Sequence, residues 1–170
     1  MTRKDTLLLR AEQYAHQNGV LLGDELGSGV HGIVLVAENQ TKAGGREPRA
    51  AIKIHEHESD FLRERDIYLR LRQHAVKKIR DCHVPQLLRY DDALRVLEIT
   101  IVKRPFVLDF AGAYLDRAPD FPEEVWDDWR ADKAEQFSDH WPEVQAILRE
   151  LESYGIYMED VSPGNISFGD

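Results

Sequence analysis

The segment 26–34 constrains this chain most, because three glycines interrupt it between two apolar runs. Gly27, Gly29 and Gly32 allow backbone conformations and close approaches that a Cβ atom would obstruct. Exposed N–H groups in such a turn can point at phosphate oxygens. A dinucleotide-binding glycine motif would continue into a helix, but the β-branched run that follows predicts a strand. We therefore expect a β-hairpin whose tip covers a phosphate-bearing ligand, with an ordinary glycine-rich hairpin as the alternative. His31, at the tip, is the side chain expected to meet that ligand.

The remaining hydrophobic pattern predicts an α+β fold. In chain order we expect a helix at about 6–17, strands at 20–27, 32–39 and 49–54, a helix at 59–76, strands at 85–90 and 94–102, helical pieces at 107–115, 122–137 and 139–154, and a strand at 166–168. Asp5 or Thr6 can cap the first helix, and Gly19 suits its C-terminal end. Five antiparallel strands with one inserted helix form a coherent lobe. The expected organisation is an N-terminal helix over 1–19, a sheet lobe over 20–102 and a minimal, mostly helical lobe over 103–170.

Composition narrows the class of protein. The 170 residues are 42% hydrophobic and 31% charged, as in globular proteins. Residues 1–80 carry 14 Lys/Arg against 11 Asp/Glu, whereas residues 81–170 carry 8 against 20. This acidic second half argues against nucleic-acid binding, which needs a basic surface. No apolar run approaches the roughly 20 residues of a membrane span, so no membrane association is expected. A single cysteine, Cys82, excludes an internal disulfide and predicts a cytoplasmic protein.

One lysine occupies an apolar strand. Lys53 follows Ala51 and Ile52 directly, and a buried ammonium group there needs a partner. Glu64 on the next helix fits best, because apolar residues follow it at helical spacing. Glu58 is the second choice, and the alternative is an edge-strand lysine that reaches solvent.

A late loop carries a second set of polar groups. Asp160 and Asn165 stand five residues apart with Pro163 between them, after a helix and before a short strand. Such a loop can direct a carboxylate at a hydroxyl group and an amide oxygen at Mg²⁺, as phosphoryl transfer requires. An ordinary Asp/Pro/Gly/Asn turn is the alternative.

Together these motifs resemble the protein-kinase-like superfamily. The glycine segment 27–34 is similar to its glycine-rich loop, 50–53 to its third-strand lysine motif, and 160–165 to its catalytic loop. The run 163–166 also resembles aminoglycoside and choline kinases. The likeness covers about residues 20–170. It implies a kinase-like fold that binds ATP and Mg²⁺ and moves the γ-phosphoryl group to a protein Ser/Thr or small-molecule hydroxyl.

The resemblance also implies individual roles. Lys53 and Glu64 would form an ion pair, Asp160 would be the catalytic base, and Asn165 would bind the metal. Residues 101–105 would form the hinge between the lobes. The implied nucleotide contacts are Leu26, Gly27, Ser28, Gly29, Gly32, Val34, Ala51 and Lys53, of which Val34 and Ala51 would enclose the adenine.

Departures from the family pattern leave activity open. Met158 and Glu159 replace the histidine and arginine expected before the catalytic aspartate, and Ser162 replaces a common lysine. The second metal motif is expected about a dozen residues past the asparagine, so Asp170 could serve as a metal ligand only with a different geometry. A short second lobe predicts exposed apolar surface, and hence self-association or a protein partner. The alternative to an enzyme is a pseudokinase-type binding module without turnover.

The run His55-Glu56-His57-Glu58 is a weaker candidate for metal binding. On a strand, His55 and His57 would share a face, but no Cys/His pair stands at zinc-site spacing. We expect these histidines to be surface or satisfied core residues.

Overall fold

The computed structural model describes residues 1–169, so the predicted metal ligand Asp170 lies outside the described residues. The protein has an α+β structure with mostly antiparallel sheets. The helices are α1 (Arg3–Asn18), α2 (Glu58–Gln73), α3 (Glu123–Phe137) and α4 (Trp141–Ser153), with a 3₁₀ turn at Ser138–His140. The strands are β1 (Leu21–Gly29), β2 (Gly32–Gln40), β3 (Arg46–His55), β4 (Lys78–Ile79), β5 (Cys82–His83), β6 (Leu87–Asp91), β7 (Val96–Ile99), β8 (Phe106–Val107), β9 (Ala113–Leu115), β10 (Ile156–Met158) and β11 (Ile166–Ser167).

The chain forms two compact units. Unit 1 comprises residues 1–65 and 86–101, and unit 2 comprises residues 66–85 and the chain from 102 onward. Helix α2 crosses the boundary, so its first half belongs to unit 1. The helix α1 is part of unit 1. No helix among residues 1–169 combines the length and apolar character needed to cross a membrane.

Unit 1 contains a five-stranded antiparallel sheet in the order β1-β2-β3-β7-β6, which confirms the five predicted strands. Side chains alternate between the two faces of a strand. Residues 33, 35 and 37 of β2 and 50, 52 and 54 of β3 share one face. They form a core cluster with the buried side of α1. The opposite face of β3 carries the odd-numbered residues 51, 53 and 55.

Helix α1 begins earlier than predicted. Thr2, not Asp5 or Thr6, is the N-cap: its hydroxyl accepts from the Asp5 N–H at 3.2 Å, and the Asp5 carboxylate accepts from the Thr2 N–H at 2.7 Å. This reciprocal capping box satisfies N–H groups that the helix leaves without partners. Gly19 ends the helix in the left-handed conformation, φ 64°, as predicted.

A buried carboxylate ties α1 to the sheet. Glu98 on β7 accepts a 2.6 Å hydrogen bond from the Tyr14 hydroxyl and forms ion pairs with Arg49 and Arg89 at 2.9 and 2.8 Å. Burial, followed by the hydrogen bond and the negative charge of Glu98, raises the pKa of Tyr14. The phenol therefore stays neutral and donates, which makes α1 an integral part of unit 1.

Unit 2 combines helices with small sheets. One sheet has the order β11-β8-β5-β4, and β9 pairs with β10. The predicted helix at 107–115 is wrong, because this stretch contains the last residue of β8, a segment without regular secondary structure, and β9. Two tertiary partners override the helical pattern: β8 pairs with β11, and β9 pairs with β10. Asp109 also has φ 67°, which no α-helix accommodates.

Candidate functional site

The glycine hairpin of unit 1 contains two kinds of glycine. Gly32 has φ 148°, and a Cβ added there would lie 1.9 Å from the Ile54 carbonyl oxygen on β3. The fold itself therefore requires Gly32. Gly27 and Gly29 have neither a positive φ nor any atom within 4 Å of an added Cβ. Nothing in the fold requires glycine at these two positions. Because these residues have no side chain, a ligand could approach their backbone closely.

Three other predicted nucleotide contacts are placed by the same sheet. Val34 lies directly opposite Lys53 across β2 and β3, and Ala51 is two residues before Lys53 on β3. Because partners in register share a face, Val34, Ala51 and Lys53 lie together on the face opposite the α1 core. Leu26 on β1 is 53% exposed, and Ser28 lies beside the turn of the hairpin, opposite Ile33. The sheet thus groups an apolar wall and a cation on one face.

The ion pair expected between Lys53 and Glu64 is present. The Lys53 Nζ lies 2.8 Å from the Glu64 Oε2, and the two residues are 7% and 1% exposed. Glu58, the alternative partner, is exposed at the start of α2. Burial by itself would raise the pKa of Glu64, but the Lys53 charge and the hydrogen bonds from His55 and Lys53 together lower this pKa to about 2. Glu64 therefore stays negatively charged at neutral pH and holds the Lys53 ammonium group by an ion pair.

His55 completes this cluster and was missed by the sequence argument. Its Nε2 lies 2.6 Å from the Glu64 Oε2, and its ring packs edge-on against Phe61 with centroids 5.6 Å apart. His55 is fully buried. The alternation of side chains along a strand could have indicated this contact, because His55 stands two positions after Lys53 and therefore lies on the same face of β3. His57, the other half of the suggested histidine pair, lies outside β3 and is exposed.

The second predicted group lies in unit 2, in the loop between β10 and β11. Asn165 Nδ2 donates to the Asp160 carbonyl oxygen at 3.1 Å, and the Asn165 N–H donates to the Ser162 carbonyl oxygen at 2.9 Å. The loop is also held by the Leu108 N–H, which donates to the Asn165 carbonyl oxygen at 2.9 Å. Asp160 is exposed. The loop is thus braced through its backbone, and the Asp160 carboxylate faces solvent.

Two further residues of unit 2 support this loop and were not predicted. The Trp129 indole N–H donates to the Glu159 carbonyl oxygen at 3.0 Å, immediately before Asp160. A Cβ added at Gly112 would lie 3.1 Å from the Asp160 Cβ. Trp129 comes from α3 and Gly112 from the turn before β9, so neither could be assigned to the loop without the tertiary structure.

Of the two predicted metal ligands, Asn165 lies within the described residues. With its Nδ2 donating within the loop, Asn165 keeps its Oδ1 oxygen to coordinate a cation, and amide oxygens suit Mg²⁺. Within residues 1–169 no group of three or more His, Cys, Asp or Glu side chains is arranged to hold a metal ion. Asn165 is compatible with a metal-binding role, and the role of both predicted ligands stays a prediction.

No protein-family model matches the chain, and comparison with curated proteins gives no match either.

Proposed function

We propose that this chain is a kinase-like ATP-binding protein. The observation that carries the proposal is the buried ion pair between Lys53 and Glu64, on the sheet face that also holds Val34. In a buried ion pair, the free-energy cost of removing both charges from water is usually about as large as the gain from their attraction. A role in gripping a phosphate therefore accounts for the pair better than a role in stability does.

The chemistry assigned to each residue follows from its environment. Glu64 orients the Lys53 ammonium group, which would neutralise phosphate oxygens of the nucleotide. The N–H groups around Gly27 and Gly29 would approach the same phosphates, and Val34 and Ala51 supply apolar surface for the base. Bound ATP would supply the phosphoryl group, and Mg²⁺ would offset its charge.

As a phosphotransferase, the protein would use Asp160 to orient an acceptor hydroxyl of a protein or small molecule. The exposure of its carboxylate and the backbone bracing of its loop suit that role. Asn165 would contribute one metal ligand. The second candidate function is a pseudokinase-type module that engages a protein partner, favoured by Met158 and Glu159 standing where active protein kinases have a histidine and an arginine.

Thermal melting with ATP, with and without Mg²⁺, tests the nucleotide proposal. A ligand at about 100 times its Kd stabilises the native state by ~2.7 kcal/mol, which corresponds to a shift of roughly 5–10 °C for a chain of this size. Lys53→Met should lose most of the shift. Lys42→Met is the matched control, because Lys42 is an exposed lysine between β2 and β3. The shift is compared with each variant's own melting temperature, since Lys53→Met also leaves Glu64 with fewer partners.

No shift in the wild type, or an equal shift in Lys53→Met, would contradict nucleotide binding at this site. Release of ADP in the presence of trial acceptors separates the two candidate functions. Turnover that Asp160→Asn abolishes, with the thermal shift retained, supports the phosphotransferase. A thermal shift without turnover in the wild type supports the binding module.

A further inference from the structure

The tip of the glycine hairpin is held from two sides within unit 1. From α1, the Arg3 Nη2 donates to the carbonyl oxygens of Gly29 and Val30 at 2.8 and 2.9 Å. Arg3 Nε also pairs with the Glu56 carboxylate, in the segment between β3 and α2. A single guanidinium group thus joins the hairpin tip to the start of the α2 segment.

The opposite side of the tip is joined to α2 through His31. The His31 Nδ1 lies 2.9 Å from the Asp60 Oδ2, and the Glu56 N–H donates to the His31 carbonyl oxygen at 3.1 Å. His31 was expected to face a ligand, but its ring is engaged with Asp60. These bonds restrain a tip whose Val30 side chain is otherwise 74% exposed.

We infer that Arg3 and the His31–Asp60 pair are positioning residues that preset the glycine hairpin for a phosphate ligand. A hairpin tip with glycines at 27 and 29 would otherwise lose backbone freedom when a ligand orders it. Restraining the tip beforehand lowers that entropic cost and raises affinity. The helix α1, which lies outside the kinase-like resemblance, is thereby coupled to the nucleotide site.

The effect on ATP affinity is expected only if the proposed nucleotide function holds. The restraint of the hairpin tip can be measured without any ligand, by hydrogen exchange followed by NMR. The amides to follow are those of Glu56, whose N–H donates to the His31 carbonyl oxygen, and of Gly32, which pairs with Gly29 across the tip. Arg3→Gln should accelerate exchange at both amides by about 3–10-fold, since each lost hydrogen bond is modest in net free energy. Where ATP binds, its affinity should weaken by about 3–10-fold.

Lys4→Gln is the matched control. Lys4 is the neighbouring cation on α1 and pairs at 2.7 Å with Glu25 on β1, rather than with the tip residues 29–31. Its removal should leave exchange at Gly32 and Glu56 within about twofold of the wild type. Asp60→Asn is the second variant. It weakens the restraint from α2 without touching Arg3, and should accelerate exchange at the same amides even if Arg3→Gln fails to fold.

Unchanged exchange in both Arg3→Gln and Asp60→Asn would overturn the inference, as would equal acceleration in Lys4→Gln. Faster exchange without nucleotide binding in any form would support the restraint and refute the proposed function. Nucleotide binding that survives both variants at full affinity, with normal exchange, would support the proposed function and refute the restraint.

Discussion

Replacing Gly32 with alanine should destabilise the protein strongly, whereas the same replacement at Gly29 should not. The two glycines stand three residues apart in one hairpin and pair with each other in the β1–β2 register. They differ in their surroundings. A Cβ on residue 32 would lie 1.9 Å from the Ile54 carbonyl oxygen, and a Cβ on residue 29 would meet nothing within 4 Å.

The magnitude follows from this contact. An ordinary contact begins near 3.4 Å, so the hairpin must move away from β3 at Ile54. A φ of 148° also strains any residue with a side chain, at a cost of ~1–3 kcal/mol. With weakened hydrogen bonds between β2 and β3, we expect Gly32→Ala to lower the free energy of unfolding by about 2–4 kcal/mol. Gly29→Ala should change it by less than ~1 kcal/mol, because alanine restricts the unfolded chain.

Urea unfolding followed by circular dichroism measures both values, and thermal melting should show a drop of roughly 5–15 °C for Gly32→Ala. ATP titration of Gly29→Ala adds a functional readout, since weaker binding at normal stability would assign Gly29 to the ligand. Equal stability of the two variants would refute the division into a glycine that the fold requires and one that it does not.

Two further predictions concern buried groups. The folded-state pKa of Glu64, about 2, lies below its ordinary value of 4.5, so this carboxylate stabilises the fold above pH 4.5 and loses that contribution as the pH falls toward 2. Urea unfolding at pH 5 and pH 3 should therefore show a smaller loss of stability in Glu64→Gln than in the wild type, with a difference of about 2 kcal/mol between these two pH values. Parallel pH profiles of the two proteins would contradict this. Tyr14→Phe removes the 2.6 Å hydrogen bond to Glu98 and should lower the free energy of unfolding by about 1–3 kcal/mol, and an unchanged urea midpoint would show that the two arginine partners satisfy Glu98 alone.

Local patterns determined much of unit 1. Alternation of apolar residues predicted the five strands, and helical spacing together with Gly19 predicted most of α1. The partner of Lys53 was predictable because a buried ammonium group needs an anion and the next helix offers few choices. These inferences succeed because each depends on residues close in sequence or on a single electrostatic requirement.

Unit 2 shows where such reasoning fails. A helix is predicted at 107–115, yet the chain there forms the end of β8 and all of β9, because strands distant in sequence complete their hydrogen bonds. The support of the Asp160 loop by Trp129 likewise depends on packing that no local pattern encodes. Secondary structure that needs a remote partner cannot be read from a short window of residues.

The sequence by itself determined the residue types on which the proposed phosphate chemistry depends: the glycines of the hairpin, Lys53, Glu64 and the Asp160 loop. Only the tertiary structure separated Gly32, required by the close approach of β3, from the glycines that the fold does not need. It alone added His55 to the buried ion pair and joined α1 to the hairpin tip through Arg3. The physical reason is that spacing reports which residues share an element, while contacts between elements depend on how their surfaces pack.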